Sequence, residues 1–203
     1  MGGNYIPEDC IYSRITPEVQ KYLLESCKRA NFNCVRVWGG GYYPSDHFYD
    51  LCDEMGLIVW QDLMFACNVY DLTEEFEDNI TKEITENVKR LRHHASLALW
   101  CGNNEMESAW DHWPEVQSES KYLRADYIKM FEYVIPKAVR RQTARPFSGS
   151  LPQAPEAALM IRTMRTEETV TTGMYGMVRS LLQIIRSIIF VFARSLASSL
   201  FRA

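Results

Sequence analysis

At 203 residues the chain is long enough for one compact domain with a sizeable core. Its net charge of −4, with no basic stripe, excludes the electrostatic footprint of a nucleic-acid-binding protein. Six cysteines, at positions 10, 27, 34, 52, 67 and 101, form no C-x-x-C pair and sit mostly in apolar contexts. They are expected to be reduced core thiols rather than disulfides or zinc ligands. The opening MGGNYIPEDC has neither the basic nor the apolar region of a signal peptide. Reduced thiols fit the cytoplasm, yet a leader on a longer precursor leaves the compartment unknown, whether periplasmic, secreted or lysosomal.

Residues 2 to 10 fit the exit of a first strand. Thr16-Pro17-Glu18 opens a helix with an N-cap and a proline at N1, and Tyr22, Leu23, Cys27 and Ala30 supply its apolar face. Cys34 to Trp38 reads as a strand running into three glycines, 39 to 41. Ser45-Asp46 caps the next helix, which runs to Met55 and stops at Gly56. Leu57 to Trp60 is the third strand. Thr73 opens a long polar helix with Phe76, Ile80, Ile84, Val88 and Leu91 at helical spacing. His93-His94 have no second ligand pair at metal spacing and read as a helix end. Leu97 to Trp100 is the fourth strand, and residues 122 to 142 predict another helix with Leu123, Tyr127, Met130, Phe131 and Val134 inward. Short apolar strands alternating with helices argue for parallel βα units.

The most informative stretch is Trp100-Cys101-Gly102-Asn103-Asn104-Glu105, which closes the fourth strand. A carboxylate just past the C-terminal end of a buried strand is where a parallel α/β barrel keeps its catalytic groups. An Asn beside that Glu suits a glycosidase, whose acid protonates the leaving oxygen while the amide holds a sugar hydroxyl. An acid at a helix N-terminus is the structural alternative. Asp62, ending the third strand, is equally compatible with binding substrate and with orienting a neighbour. Arg36 reads as half of an ion pair inside the barrel. Trp38 fits a ligand wall, given the glycines beside it. Trp110 and Trp113 read as loop aromatics, where exposure signals binding.

The phrases GGNYIPED, NCVRVWGGGYY, GLIVWQDLMFAC and LWCGNNE, in that order and spacing, resemble glycoside hydrolase family 2, and within it the mannosidase branch. The resemblance covers residues 2 to 147. It implies an α/β fold: about the first half of a (β/α)8 TIM barrel over residues 1–147, since a full barrel takes about 250 residues. It implies a retaining exo-glycosidase acting on terminal β-D-mannose, with Glu105 as acid/base and Asn104 on the 2-hydroxyl. Trp38 and Trp113 match tryptophans lining the terminal-sugar subsite, and Asp62 is taken with the substrate-binding set. The implied partner is a β-mannoside oligosaccharide; the chemistry requires no metal and no cofactor, and a membrane partner is not expected.

Beyond Phe147 the composition changes. No lysine follows Lys137 and no acidic residue follows Glu168, while arginines persist to Arg202. Residues 148–203 are therefore expected to be a tail of non-native, disordered or helical character. Reading each codon one base out of step gives family-like strings: Met160-Ile161 must then encode an Asp, and Met177-Val178 a Gly. This predicts a single frameshift near Phe147, with the family's nucleophilic Glu falling across the codons of Arg194 and Ser195. The 203-residue chain is accordingly expected to be inactive. The alternatives are another family 2 exo-glycosidase such as a β-galactosidase or glucosaminidase, a non-catalytic sugar-binding half-barrel, and a fragment attached to membranes through residues 180 to 201.

Overall fold

The computed structural model describes residues 2–6, 8–145, 147 and the backbone of 148. The chain divides into two units, Met1–Gln153 and Ala154–Ala203, and the described residues belong to the first. The expected tail, including the segment 180 to 201, lies outside the described residues apart from the backbone of Ser148.

Five strands form one all-parallel sheet: β1 (Gly2–Tyr5), β2 (Cys34–Val37), β3 (Ile58–Asp62), β4 (Leu97–Cys101) and β5 (Phe147–Ser148). Their spatial order follows the chain, β1-β2-β3-β4-β5. Asn4 lies in register with Arg36, and Arg36 with Trp60. A register shift between Val59 and Trp60 then sets Trp60 opposite Leu99 and Asp62 opposite Cys101. Every residue of β2 is buried, and so is β3 beyond its first residue, as a strand covered on both faces requires. Val35, Val37 and Val59 join the apolar core, while the alternate positions Arg36, Trp60 and Asp62 meet one another instead.

The crossovers carry α1 (Pro17–Arg29), α2 (Asp46–Met55), α3 (Glu74–Leu91), α4 (Met106–His112), α5 (Pro114–Gln117), α6 (Lys121–Lys129) and α7 (Ile135–Arg140). Thr16 caps α1 by accepting from the Val19 N–H at 3.4 Å, and Thr73 caps α3 by accepting from the Phe76 N–H at 3.2 Å. Gly56 ends α2 at φ +66°, a left-handed conformation that costs glycine little. Along α3, Ile80, Ile84, Val88 and Leu91 are all buried, as their spacing predicts.

Four readings of the sequence need correction. The buried residues of α1 are Gln20 and Leu24, whereas Tyr22 and Ala30 are exposed. Gln20 is drawn inward by polar partners, donating to Glu8 Oε1 at 2.8 Å and accepting from the Ser45 hydroxyl at 2.9 Å. That second bond occupies Ser45, which makes no side-chain cap on α2. The helix expected over 122 to 142 is interrupted by a π turn, Met130–Val134, immediately before Ile135-Pro136. Pro136 has no N–H to donate to the preceding turn, and a wider turn absorbs that loss. Trp110 lies on α4 rather than in a loop, and it is a core residue. Among the described residues no helix is long and apolar enough to cross a membrane.

Candidate active site

The C-terminal ends of β1 to β4 bring Asn4, Arg36, Asp62 and Asn104 together. Arg36 is buried and holds Asp62 with both edges of its fork: Nε donates to Oδ1 at 3.2 Å and Nη2 to Oδ2 at 2.7 Å. Its guanidinium lies over the Trp60 ring, 5.2 Å from the centroid. Nη1 donates to Asn4 Oδ1 at 3.4 Å, and Nη2 donates to Asn104 Oδ1 at 2.8 Å. Asp62 is fully buried and also accepts the Gly39 N–H at 3.1 Å. Burial drives its carboxyl above the ordinary value, against the opposing pull of Arg36 and Gly39. The carboxylate is thus turned onto Arg36 and the backbone. Cys101 lies buried alongside, and burial pushes its thiol up to about 12, so it remains neutral.

The loop after β4 is fixed residue by residue. Asn103 Oδ1 accepts the Met106 N–H at 3.1 Å, which makes Asn103 the side-chain cap at the start of α4. The Asn104 N–H donates to Phe65 O at 2.9 Å, tying the loop to the segment after β3. Glu105 is exposed and sits at φ +60°, ψ 14°, a left-handed conformation uncommon for a residue other than glycine. The backbone turn places Asn104 inward and buried while Glu105 projects outward.

Trp38 is half-buried beyond β2, and it is not among the residues packed against the apolar core. The glycines beside it are required by space. A Cβ at Gly39 would stand 2.7 Å from Leu63 O, and one at Gly40 would fall 1.9 Å from the Trp38 indole. Trp113 is half-buried at the junction of α4 and α5 and packs partly on the core. Asp62 and Asn104 are joined through Arg36 at the strand ends, and Glu105 follows Asn104 in the chain. Asn4 and Asn103 were not singled out from the sequence. Asn103 carried a legible signal, an Asn three residues before the first helical N–H it caps. Asn4 could be placed only once β1 was paired in register with β2.

Among the described residues, Asp50, Asp53 and His94 offer ligand atoms within 4.8 Å of one another. Asp53 is already engaged by the Ser96 N–H at 2.6 Å and by His94 Nδ1 at 2.8 Å. This cluster lies at the N-terminal end of β4, away from Glu105 at the other end.

The described residues form a parallel α/β scaffold with a polar cluster at the C-terminal ends of its strands. No family model matches the chain. A β-mannosidase of Capra hircus is 42% identical over 160 residues, a match covering 74% of this chain and 18% of that protein. The crystal structure of a β-D-mannosidase from Dictyoglomus thermophilum superposes with a TM-score of 0.68 at 39% identity, covering 77% of this chain and 19% of that one. A β-glucuronidase from Bacteroides uniformis shares the fold, with a TM-score of 0.53 at 24% identity over 66% of this chain and 16% of its own. The chain is homologous to β-mannosidases, about 40% identical over three quarters of its length, and it spans under a fifth of the length of the relatives it matches.

Proposed function

We propose that this chain is a segment of a retaining exo-β-mannosidase and that residues 1–147 form the first half of its (β/α)8 catalytic barrel. The observation that carries the reading is the pair Asn104-Glu105 at the C-terminal end of β4, with Asn104 held by Arg36, inside a segment related to β-mannosidases. A sheet whose order follows the chain, with helical crossovers, suits a barrel wound in one direction. Glu105 protonates the glycosidic oxygen, then serves as base for water once a second carboxylate, about 5–5.5 Å away, has attacked the anomeric carbon. Asn104 holds the 2-hydroxyl, whose axial direction distinguishes mannose. Trp38 and Trp113 wall the terminal-sugar subsite, and Asp62 supports it from beneath through Arg36.

The second carboxylate is assigned to the shifted frame, across the codons of Arg194 and Ser195, so residues 148–203 are a frameshifted tail and the 203-residue chain is inactive. The test is the nucleotide sequence from the Phe147 codon past the Ala203 codon, followed by assay. A frame-restored protein should hydrolyse a β-linked mannose disaccharide and lose at least about a hundredfold in kcat on Glu105→Gln. The 203-residue chain should show no turnover. Glu105-dependent turnover by that chain would overturn its inactivity. A restored protein preferring β-galactosides or glucosaminides would overturn the mannoside reading.

A further inference from the structure

The atoms of the Asn104 amide are not free to exchange places. The group facing it is a guanidinium, which donates through every N–H and accepts nothing. The Asn104 atom 2.8 Å from Arg36 Nη2 must therefore be the carbonyl Oδ1, and the NH2 lies on the opposite edge of the amide. Arg36 cannot swing to relax this constraint. Its fork is held by two bonds to the fully buried Asp62, its face lies over Trp60, and Nη1 reaches Asn4 Oδ1. Asp62 is fixed in turn by the Gly39 N–H, and the Asn104 backbone by Phe65 O.

We infer that Arg36, braced by Asp62, is a positioning residue that holds the Asn104 oxygen and so leaves the NH2, a donor, as the end of the amide offered to substrate. The inference rests on the sugar-site reading and deepens it. The group beside the reacting bond must then present an acceptor lone pair, which a 2-hydroxyl has and a 2-deoxy sugar lacks. A lysine at 36 supplies the charge for Asp62 but not the planar fork that reaches Asp62 and Asn104 together. The selectivity of the site for an oxygen at C2 is thus set from a strand two places away in the sheet, by a residue that need not touch the sugar.

Two measurements on the 203-residue protein test this. The first is an NMR correlation through the hydrogen bond from Arg36 Nη2 to Asn104 Cγ, recorded without ligand. The second is tryptophan-fluorescence titration with methyl β-D-mannopyranoside and its 2-deoxy analogue. The unmodified protein should show the correlation and favour the 2-hydroxy sugar about tenfold, the worth of one hydrogen bond. Arg36→Lys should bring that ratio close to one, as should Asn104→Ala, with affinity for the 2-deoxy sugar little changed. A full tenfold preference in a folded Arg36→Lys protein would overturn the inference. Should that variant not fold, the NMR arm decides, because absence of the correlation in the unmodified protein overturns the inference alone. A correlation present in a protein that binds neither sugar would uphold the fixed amide and overturn the sugar-site reading instead.

Discussion

The two ends of the sheet each carry a polar cluster, buried at the C-terminal end and partly exposed at the N-terminal end, and the clusters serve different purposes. At the C-terminal end, Arg36, Asp62 and Asn104 are side chains bonded to side chains. At the N-terminal end, the partners are mostly backbone. Asp53 accepts the Ser96 N–H at 2.6 Å, and Arg145 donates to the carbonyls of Arg92, His94 and Leu97. The second arrangement closes loops: it satisfies backbone groups between α3 and β4 that have no ladder to join. The first satisfies almost no backbone, the Gly39 N–H excepted, and sets a buried ion pair among strand side chains. A polar cluster that tidies no backbone is one that orients something. In parallel barrels the strand C-terminal end carries function and the opposite end stability, and the proposed sugar site lies at the C-terminal end.

The largest expected effect follows from breaking the first cluster unevenly. Asp62→Ala leaves Arg36 buried without its counter-charge and should cost about 3–5 kcal/mol, read as a loss in urea-unfolding free energy. The paired change Arg36→Met with Asp62→Leu should recover most of that loss, because a well-packed apolar pair can replace a buried ion pair. If the paired variant were as unstable as the single one, the cluster would be structural, and the contrast between the two ends would fail.

Breaking the second cluster should be milder and should depend on pH. Partial burial raises the Asp53 carboxyl, but the bonds from Ser96 and His94 outweigh it and hold the group below its ordinary value. Asp50 also faces His94, at 3.8 Å. A carboxyl depressed in the folded state contributes stability above its unfolded value, about 3.9, and loses it as pH falls through the folded value. Asp53 is partly exposed, so Asp53→Asn should cost only about 0.5–1.5 kcal/mol at pH 7. Its stability should change less than that of the unmodified protein between pH 4 and pH 2. Parallel acid limbs in the two proteins would show that Asp53 is not the linked group.

Elements with strong periodicity were legible in the sequence, and so was the kinship with β-mannosidases. Ile80, Ile84, Val88 and Leu91 announce α3, and Leu97 to Trp100 announces β4, because burial on one face or on both leaves a regular apolar trace. The pairing of Arg36 with another charge was also readable, since a charge inside a buried strand needs a partner. Which charge it meets was not, because that depends on strand register. Tyr22 was misplaced, and the burial of Gln20 went unseen, for a related reason. Burial of Gln20 depends on Glu8 and Ser45, residues 12 and 25 positions away, which no local pattern records. Asp62 showed two possible roles in sequence, and its full burial against Arg36 and Gly39 gives the orienting one its geometry.

The smallest expected effect concerns Glu105, where site and stability pull in opposite directions. A non-glycine residue at φ +60° carries roughly 1 kcal/mol of backbone strain, and Asn adopts that conformation more readily than Glu. Glu105 is exposed, so its replacement removes little packing. Glu105→Asn should therefore raise Tm by about 2–4 °C in a chain of this length, while a frame-restored protein carrying the same change should lose its turnover of the mannose disaccharide. Glu105→Gln, which keeps the strain, should lose turnover without the gain in Tm. If both variants melted alike, the left-handed turn would be unstrained, and the strand end would differ from the rest of the sheet only in its chemistry. If Asn alone stabilised, the protein would be holding a carboxylate at a position that its own backbone disfavours, as expected of a residue placed for proton transfer.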